Sequence, residues 1–327
     1  MSSEDAWRPA AALDTLRLRA QLLAAVRDFF AARGVLEVDT PILSGAAVSD
    51  VHLESLATPY SAPDARESRP LYLQTSPEYA MKRLLAAGSG DIYQVCKVFR
   101  DGERSRQHNP EFTMIEWYRL GFDLPRLMQE VDALLRRLLA QQDLAPTEFV
   151  SYREILQREL GIDVRHASLA TLVACAAAQG AVLPPGEVDR DTCLDLLMGV
   201  VVGPRLGRGR LTFVYGYPAS QAALARLDPA DPEVAERFEA YGEGIELCNG
   251  FRELSDAGEQ RRRFMADQAL RASRGLPQRP LDEHFLAALA AGLPDCAGVA
   301  VGFDRVLLLA ARRRDLDAVL AFPVERA

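Results

Sequence analysis

The first strong pattern of apolar residues covers positions 16–30. Apolar side chains recur there in steps that include three and four residues, at Leu16, Leu22, Leu23, Val26, Phe29 and Phe30. This spacing places them on one face of a helix, and Gly34 is typical of the residue that follows a helix end. The sequence therefore predicts an amphipathic helix, followed by a short strand at 35–38 that ends before Pro41.

Two strand-like stretches follow at 92–100 and 111–118, joined by the charged segment 101–109. Their length and spacing predict a long antiparallel hairpin. Successive side chains of a strand point to opposite faces. One face of the second strand would then be core, with Thr113, Ile115 and Trp117. The other face would carry Phe112, Met114, Glu116 and Tyr118.

The later patterns comprise a helical middle and a second strand-rich part. Helical patterns at 127–139, 169–178 and 193–202 predict a helical insertion of roughly 126–210. Strand patterns at 211–215 and about 238–254 come next, followed by a helix at 260–272. A last strand-to-helix unit runs from 296 to 313, and there is no internal repeat.

Composition narrows the class of partner. The chain has 327 residues, 49% of them hydrophobic, and a formal net charge of −8. A negative chain has no bulk positive field to attract a polyanion, so nucleic acid is disfavoured as the main partner. Five scattered cysteines, with no closely spaced pair, predict a reducing compartment and no zinc site.

The ends of the chain predict a cytoplasmic protein with no membrane partner. The first nine residues have neither the basic head nor the apolar run of a secretory leader. The apolar stretch near the C-terminus is interrupted by Asp304 and Arg305, well short of the ~18 apolar residues that a spanning helix needs.

The acidic segment 236–253 contains the first candidate site. A two-residue turn at Gly242-Glu243, with glycine first, would be of type II′. That register sets Glu239 directly opposite Glu246, with their Cβ atoms ~5 Å apart. Two like charges so close need a cation between them, and paired carboxylates are usual ligands of Mg²⁺. The alternative is a solvated acidic hairpin without a ligand.

Two further groups carry candidate chemistry. Glu116 and Tyr118 share a strand face and could hold a substrate ammonium by charge and hydrogen bond. The alternative is an exposed edge strand. Arg100 ends the preceding strand, and Arg305 falls in the first turn of the helix after Gly302, where free N–H groups favour phosphate. Alone, either arginine could equally form a surface ion pair.

Three segments together resemble the signature motifs of class II aminoacyl-tRNA synthetases. They are the helix and strand ending at Pro41, the unit from Phe99 to Phe112, and the strand and helix from Gly298 to Arg305. Within that class, Thr75-Ser-Pro-Glu78 and Glu246-Leu-Cys-Asn-Gly-Phe-Arg-Glu253 are similar to the lysyl branch. The resemblance covers most of residues 15–325.

The resemblance implies an α+β fold, in which an antiparallel β-sheet is flanked by helices and the first helix forms a homodimer interface. Lysyl-tRNA synthetases carry an anticodon-binding barrel before the first motif, which here starts near residue 15. We therefore expect one catalytic domain over 1–327 without an anticodon-binding domain. This layout resembles stand-alone synthetase paralogues that join a lysine-type amino acid, (R)-β-lysine, to a lysine side chain of elongation factor P.

The resemblance also implies a role for each matched residue, with ATP and Mg²⁺ as cofactors. The catalytic residues would be Arg100, Arg305 and Glu246. The ATP site would contain Arg100, Asp101, Gly102, Glu103, His108, Asn109, Phe112, Glu246, Leu247, Gly302 and Arg305. The amino-acid site would contain Ser76, Pro77, Glu78, Glu116, Tyr118, Asn249, Glu253 and Ala300. The metal ligands would be Glu239 and Glu246.

Two residues depart from the family pattern. The second motif usually reads Phe-Arg-x-Glu, whereas here Gly102 takes the fourth place and Glu103 follows. Ala300 stands where lysyl-tRNA synthetases usually have glycine and the paralogues have alanine. A methyl group on a pocket wall can change substrate preference by ~1–3 kcal/mol.

The predicted reaction forms an aminoacyl-adenylate and pyrophosphate, then an amide and AMP. One alternative is a tRNA-charging enzyme, although tRNA is not the partner we expect for so acidic a chain. A second alternative is a catalytically inactive synthetase-like regulatory subunit. The joint presence of Arg100, Glu239, Glu246 and Arg305 favours an active enzyme.

Overall fold

A computed structural model describes residues 7–61, 68–184, 186 and 188–327. They form two compact units. Unit 1 combines the described residues up to Gly121 with Leu254–Ala327, and unit 2 is Phe122–Glu253. Residues 1–6, on which most of the leader prediction rests, lie outside the described residues. Whether the chain functions as one catalytic domain stays a prediction.

The described residues of the first part of unit 1 form two helices and six strands. They are α1 (Leu13–Ala31), β1 (Leu36–Glu37), β2 (Leu43–Ser44), β3 (Ala57–Tyr60), β4 (Arg69–Leu73), α2 (Glu78–Ala86), β5 (Ile92–Phe99) and β6 (Glu111–Leu120). β5 and β6 form the predicted antiparallel hairpin, and β1 adds to β5 in parallel. β2, β4 and β3 form a separate antiparallel sheet.

Unit 2 contains the helical middle and the second strand-rich part. Its elements are α3 (Leu124–Leu138), β7 (Glu148–Ser151), α4 (Tyr152–Leu160), α5 (Leu169–Ala178), α6 (Arg190–Leu196), β8 (Leu211–Pro218), β9 (Leu227–Asp228), β10 (Asp231–Gly242) and β11 (Ile245–Arg252). β10 pairs antiparallel with β8, β9 and β11, and β7 runs parallel to β8. A π-helical segment, Leu197–Val202, extends α6.

The chain then returns to unit 1 with α7 (Ala257–Ser273), α8 (Glu283–Gly292), β12 (Cys296–Gly302) and α9 (Phe303–Ala310). β12 pairs antiparallel with β6. The unit 1 sheet therefore has the order β1-β5-β6-β12, antiparallel except at β1. The predicted α+β class is confirmed.

The core of unit 1 forms where α1 lies on the β5–β6 hairpin. Phe30 stacks on Tyr93 with ring centroids 4.3 Å apart and meets Trp117 edge-on at 5.2 Å. Phe30, Ile115 and Trp117 are completely buried. Burial of each such side chain contributes ~1.5–3 kcal/mol. The predicted core face of β6 is therefore confirmed, and the opposite face of β6 is left for the candidate site.

The core of unit 2 lies between β8 and helices α4, α5 and α6. Ile155, Leu172, Leu194 and Val214 are completely buried in it. Helix α4 begins with a capping box, in which Ser151 and Glu154 each bond the other's backbone N–H. Neither β7 nor α4 was predicted, because elements of four and nine residues carry few periods of a pattern.

In the described ranges 7–61, 68–184, 186 and 188–327, no helix has both the length and the apolar character needed to cross a membrane.

The predicted register of the β10–β11 hairpin is wrong. The turn is formed by Glu243 and Gly244, whose φ angles are 50° and 77°. Positive φ at both central residues defines a type I′ turn, in which glycine takes the second place. Tyr241 then pairs with Glu246, and Glu239 pairs with Asn249.

A β-bulge adds a second shift to this register. The pairing changes between Ala240 and Tyr241, so Leu247 has no partner of its own in β10. A single extra residue reverses which face the following side chains occupy. Because of the bulge, Glu246 and Asn249 lie on the same face as Glu239, although they are three positions apart.

Replacement of Gly244 tests how tightly this turn is specified. A Cβ atom at Gly244 would lie 2.5 Å from the carbonyl oxygen of Pro204, and φ is already positive. We expect Gly244→Ala to lower the free energy of unfolding by about 2–5 kcal/mol, the sum of a strained φ and overpacking. The measurement is urea unfolding of unit 2, followed by far-ultraviolet circular dichroism.

Gly209→Ala is the matched control. Its φ is 65°, but a Cβ atom there meets no described atom within 4 Å, so only the backbone cost of about 1–2 kcal/mol applies. Equal losses in the two variants would contradict the close approach to Pro204.

Candidate active site

The β5–β6 hairpin places Arg100 over the ring of Phe112. The Arg100 N–H donates to the carbonyl of Pro110 at 2.9 Å, which closes the hairpin just beyond β5. Its guanidinium carbon lies 5.1 Å from the ring centroid of Phe112, and its Nη1 lies 3.6 Å from Oε1 of Glu103. The buried Nε of Arg100 has no hydrogen-bond partner among the described residues. A buried, unpaired cationic N–H suits an anionic ligand such as phosphate.

The turn after β5 explains one departure from the family pattern. Gly102 has a φ of 75°, a left-handed conformation that disfavours a side chain such as Glu. Glu103, one residue later, is the carboxylate that faces Arg100. The backbone N–H of Asp101 is bonded to the carbonyl of Glu54 at 2.8 Å. The role of each in ATP binding stays a prediction.

The start of α9 brings Arg305 to His108. The strand-to-helix junction at Gly302 is observed as predicted, with Arg305 in the first turn. A guanidinium N–H of Arg305 lies 2.7 Å from Nε2 of His108. Because a guanidinium only donates, Nε2 must accept, and the proton of the neutral ring lies on Nδ1, which donates to Ser105 Oγ at 2.7 Å.

The ring of His108 is kept neutral by its surroundings. Burial lowers its pKa, and the positive charges of Arg305 and Arg100 lower it further, against an opposite effect of Glu103. A neutral imidazole is the form that can accept from Arg305. The predicted phosphate-site residues Arg100, Glu103, His108 and Arg305 therefore form one cluster of charged and polar groups.

Asp304, the neighbour of Arg305, anchors α9 to β6. Its carboxylate is 2% exposed. It accepts from the backbone N–H of Thr113 at 2.6 Å and from the side chain of Arg19 in α1. This buried ion pair fixes the first turn of α9, and hence the backbone that carries Arg305. In the sequence, Asp304 was read only as a break in an apolar run, and this role was not predicted.

Asn109 is held by the backbone around it. Its side-chain nitrogen donates to the carbonyl of Glu111 at 2.6 Å, and its oxygen accepts from the N–H of Val324 at 3.1 Å. It is 4% exposed. These bonds give Asn109 a structural role beside Arg100, and its predicted nucleotide contact stays a prediction.

The residues of β6 that are predicted to bind the amino-acid substrate are hydrogen-bonded to the loop before α2. Glu116 is 2% exposed. One of its oxygens accepts from Ser76 Oγ and the other from Tyr118 OH, both at 2.7 Å. Ser76 also accepts from the N–H of Glu78 at 3.0 Å, just after Pro77 at the start of α2. The structure thus brings together the predicted residues Ser76, Glu116 and Tyr118.

Ala300 lies directly opposite Glu116 in the β12–β6 pairing. Side chains paired across antiparallel strands share a face, with Cβ atoms about 5 Å apart. The methyl group of Ala300 therefore stands beside the Glu116 carboxylate, as the predicted pocket wall requires. Gly298 is the corresponding partner of Tyr118.

Glu78 has a partner that the sequence analysis missed. Lys82 lies one turn later in α2, and its Nζ donates to Glu78 Oε1 at 2.6 Å. The Lys82 side chain is completely buried, with Nζ 5.8 Å from the ring of Phe285. Glu78 and Lys82 stand four residues apart, the spacing of a helical ion pair. That spacing was the available signal, but it does not reveal burial.

In unit 2, the carboxylate of Glu239 accepts three hydrogen bonds. Arg237 donates to Oε1 at 2.6 Å, while the hydroxyls of Tyr217 and Tyr241 donate to Oε2 at 2.6 Å and 2.5 Å. Burial and the charge of Glu239 raise the pKa of both phenols well above its usual value, so they remain donors.

These bonds do not fit the predicted role of Glu239 as a metal ligand. Both oxygens are in use, and an arginine already supplies the neighbouring positive charge. The described residues also contain no group of three or more His, Cys, Asp or Glu that could hold a metal ion. Glu246 stays the predicted ligand, half-buried in β11 and paired with Tyr241.

The remaining predicted residues of β11 occupy defined positions. Leu247, a predicted ATP residue, is the bulge residue and is 1% exposed. Asn249 pairs with Glu239, and its side-chain oxygen accepts from Arg237 Nε at 3.2 Å. Glu253 is buried beyond the end of β11, where it bridges to Ala225.

The chain belongs to the class II tRNA synthetases. It matches the family model for class II tRNA synthetases (D, K and N) over residues 5–326. This membership implies the use of ATP, and it confirms the resemblance that the three motifs indicated.

Three curated relatives are similar over the whole chain. The elongation factor P–(R)-β-lysine ligase of Erwinia tasmaniensis is 52% identical over 327 residues, with 100% of both chains covered. Proteins of the same name from Klebsiella pneumoniae and Salmonella paratyphi B are each 51% identical over 328 residues, again with 100% of both chains covered.

The neutral state of His108 predicts a pH dependence of stability. A lowered pKa means that the folded protein resists protonation of this ring, so its contribution is complete above the unfolded value of ~6.5 and is lost as the pH falls through the folded value. Protonation would also remove the acceptor of Arg305. We expect the wild-type melting temperature to fall more between pH 7.5 and 5 than that of His108→Gln.

The control for this comparison is His284→Gln, at an exposed histidine of the same unit. It should retain the wild-type loss, since it leaves His108 in place. A His108→Gln curve parallel to wild type would contradict the assignment of a neutral, half-buried His108.

Proposed function

We propose that the protein is an ATP-dependent ligase that activates (R)-β-lysine and transfers it to a lysine side chain of elongation factor P. The observation that carries this proposal is similarity over the full chain to ligases of that name, at about half of all positions. The cluster around Arg100 and Arg305 and the carboxylate site at Glu116 supply groups suited to the two substrates.

In the first step, a carboxylate oxygen of the amino acid attacks the α-phosphorus of ATP. The bond from that phosphorus to the bridging oxygen breaks, and pyrophosphate leaves. Negative charge builds on the phosphoryl oxygens, which Arg100 would neutralise through its unpaired Nε, while Arg305 would hold the departing phosphates. The ring of Phe112 would stack on the adenine. No enzyme nucleophile is needed, since positioning and charge supply the catalysis.

In the second step, the neutral ε-amine of the acceptor lysine attacks the carbonyl carbon of the adenylate. A carbon–nitrogen bond forms, the carbon–oxygen bond to AMP breaks, and the amine loses a proton. The net charge of −8 suits a basic surface on the acceptor protein. A cytoplasmic location is part of the proposal.

The amino-acid site of unit 1 has acceptors for ammonium groups. Glu116 is fixed by Ser76 and Tyr118, so it faces a ligand in one orientation. Glu78 is fixed by Lys82. A lysine-type substrate carries two ammonium groups, and buried carboxylates bind such groups strongly because water is excluded.

Two finer points complete the proposal. For Mg²⁺, Glu246 is the candidate ligand, and no step is assigned to the ion. For assembly, a homodimer through α1 is supported by apolar side chains exposed near its start and after it. Leu13 is 63% exposed, Leu36 55% and Leu43 45%.

Mass spectrometry of elongation factor P tests the function directly. The enzyme with ATP and (R)-β-lysine should add one aminoacyl mass to a single lysine and release AMP.

Arg100→Ala should lower amino-acid-dependent ATP–pyrophosphate exchange by ~10²–10³-fold, the usual effect of removing one stabilising donor. Arg104→Ala, which breaks ion pairs to Asp317 and Glu325 and a hydrogen bond to the carbonyl of Ser105, is the control.

The two rival functions give different results in this assay. A tRNA-charging enzyme would load α-lysine onto tRNA faster than it modifies elongation factor P. An inactive regulatory subunit would show no exchange with any lysine-type amino acid. Either result would contradict the proposal.

Ala300→Gly tests the selectivity of the amino-acid site. Removal of the methyl group beside Glu116 opens space on the pocket wall, so we expect use of α-lysine relative to (R)-β-lysine to rise about tenfold. The measurement is the ratio of kcat/KM values in the exchange assay. Ala297→Gly is the control, because Ala297 lies on the other face of β12, opposite Arg119. An unchanged ratio in Ala300→Gly would mean that the methyl group does not face the substrate.

A further inference from the structure

The two carboxylates of the β10–β11 hairpin already have a cation beside them. Glu239 and Glu246 share a face of the hairpin, which led the sequence analysis to place a divalent metal between them. The structure instead shows Arg237, whose guanidinium is bonded to Glu239 at 2.6 Å. The negative charge of Glu246 also acts on Arg237. Arginine thus supplies the positive charge that like-charged neighbours require.

Each of the three guanidinium nitrogens of Arg237 donates a hydrogen bond. One terminal nitrogen donates to Glu239, and the other donates to the carbonyl of Gln221 at 2.6 Å. Nε donates to Asn249 Oδ1 at 3.2 Å. The guanidinium carbon lies 4.4 Å from the ring centroid of Tyr217. Burial favours the neutral form, but the charges of Glu239 and Glu246, the Tyr217 phenol and the hydrogen bond to Glu239 together outweigh it and raise the pKa of Arg237.

Glu239 is in turn held by Tyr217 and Tyr241, which both donate to Oε2. The carboxylate therefore cannot rotate without the loss of three hydrogen bonds. Hydrogen bonds to a charged group are stronger than those between neutral groups, so one orientation of the carboxylate is strongly preferred. The two phenols thus fix the orientation of the Glu239 carboxylate, and Glu239 fixes the guanidinium of Arg237.

The hydrogen bond from Arg237 Nε to Asn249 Oδ1 sets the orientation of the Asn249 amide. Because a guanidinium only donates, the amide oxygen of Asn249 faces Arg237, and the amide nitrogen faces away. That nitrogen has no hydrogen-bond partner among the described residues, and Asn249 is half-buried. Asn249 thus presents a donor. Its role differs from that of Glu116, whose carboxylate would accept from a substrate ammonium.

We propose that Arg237 is a positioning residue of the amino-acid site: Glu239, Tyr217 and Tyr241 fix its guanidinium, and it fixes Asn249 with the amide nitrogen directed to an oxygen of the substrate. This inference rests on the proposed function, which makes Asn249 a substrate residue. It assigns Glu239 to the same network and not to a metal.

The first experiment separates the amino-acid site from the nucleotide site. In the exchange assay, Arg237→Lys keeps the charge but loses the Nε bond to Asn249. We expect KM for (R)-β-lysine to rise about tenfold, while KM for ATP stays within twofold of wild type. Arg226→Lys is the control, because Arg226 pairs with Glu236 in the same unit. Equal rises in the two KM values would overturn the proposal, since a general loss of structure would affect both.

A double-mutant cycle tests whether Arg237 acts through Asn249. If it does, the double variant Arg237→Lys, Asn249→Ala should have the same KM for (R)-β-lysine as Asn249→Ala alone. Without the Asn249 amide, Arg237 has no side chain to orient, so its replacement has no further effect. Multiplied effects would show that Arg237 acts by another route. If Arg237→Lys folds poorly, Tyr217→Phe removes only one donor to Glu239 and should raise the same KM about threefold.

The Mg²⁺ requirement tests the role of Glu239. Glu239→Gln should raise KM for (R)-β-lysine and leave the Mg²⁺ concentration for half-maximal exchange unchanged. A rise of more than tenfold in that concentration would make Glu239 a metal ligand and overturn its assignment to the network. A wild-type enzyme without exchange activity would instead contradict the proposed function itself, so the two failures are distinguishable.

Discussion

A buried carboxylate must be neutralised or fully hydrogen-bonded, and this requirement organises the candidate residues within each unit. Glu116 and Asp304 in unit 1 and Glu239 in unit 2 are each at most 8% exposed. The structure meets the cost of their burial with hydroxyls, backbone N–H groups and arginines that leave each carboxylate one orientation. The same bonds fix the groups that face the substrates. Stability and positioning are therefore two results of one set of contacts.

The partners of these carboxylates come from distant parts of the chain, which limits what a sequence can predict. Arg19 reaches Asp304 across 285 positions, and Ser76 reaches Glu116 across 40. Local patterns predicted α1, the β5–β6 hairpin and the strand-to-helix unit of Arg305, because each rests on periodicity within a short window. They could not predict which charge would meet which. Only the family resemblance placed Ser76 and Glu116 in one site.

The β10–β11 hairpin shows where local reasoning fails. Glycine can serve in first or second place of a two-residue turn, and both Gly242 and Gly244 were available. The choice depends on the close approach of Pro204 to Gly244, which is a tertiary contact. The prediction that Glu239 and Glu246 share a face was nevertheless correct. The cation beside them was misjudged, because Arg237, two positions before Glu239 on the same strand face, was not considered.

The bulge at Leu247 has a consequence for how this part of the chain can change during evolution. Substitutions in β11 alter one side chain, but one further residue inserted between Glu246 and Asn249, and paired regularly, would turn Glu246 to the opposite face from Asn249 and Glu253. Loss of Leu247 would instead leave Glu246 two positions from Asn249 on the same face, without the bend of the bulge. The hairpin should therefore accept many replacements but few insertions, so that spacing is the more durable record of descent than residue identity in this segment.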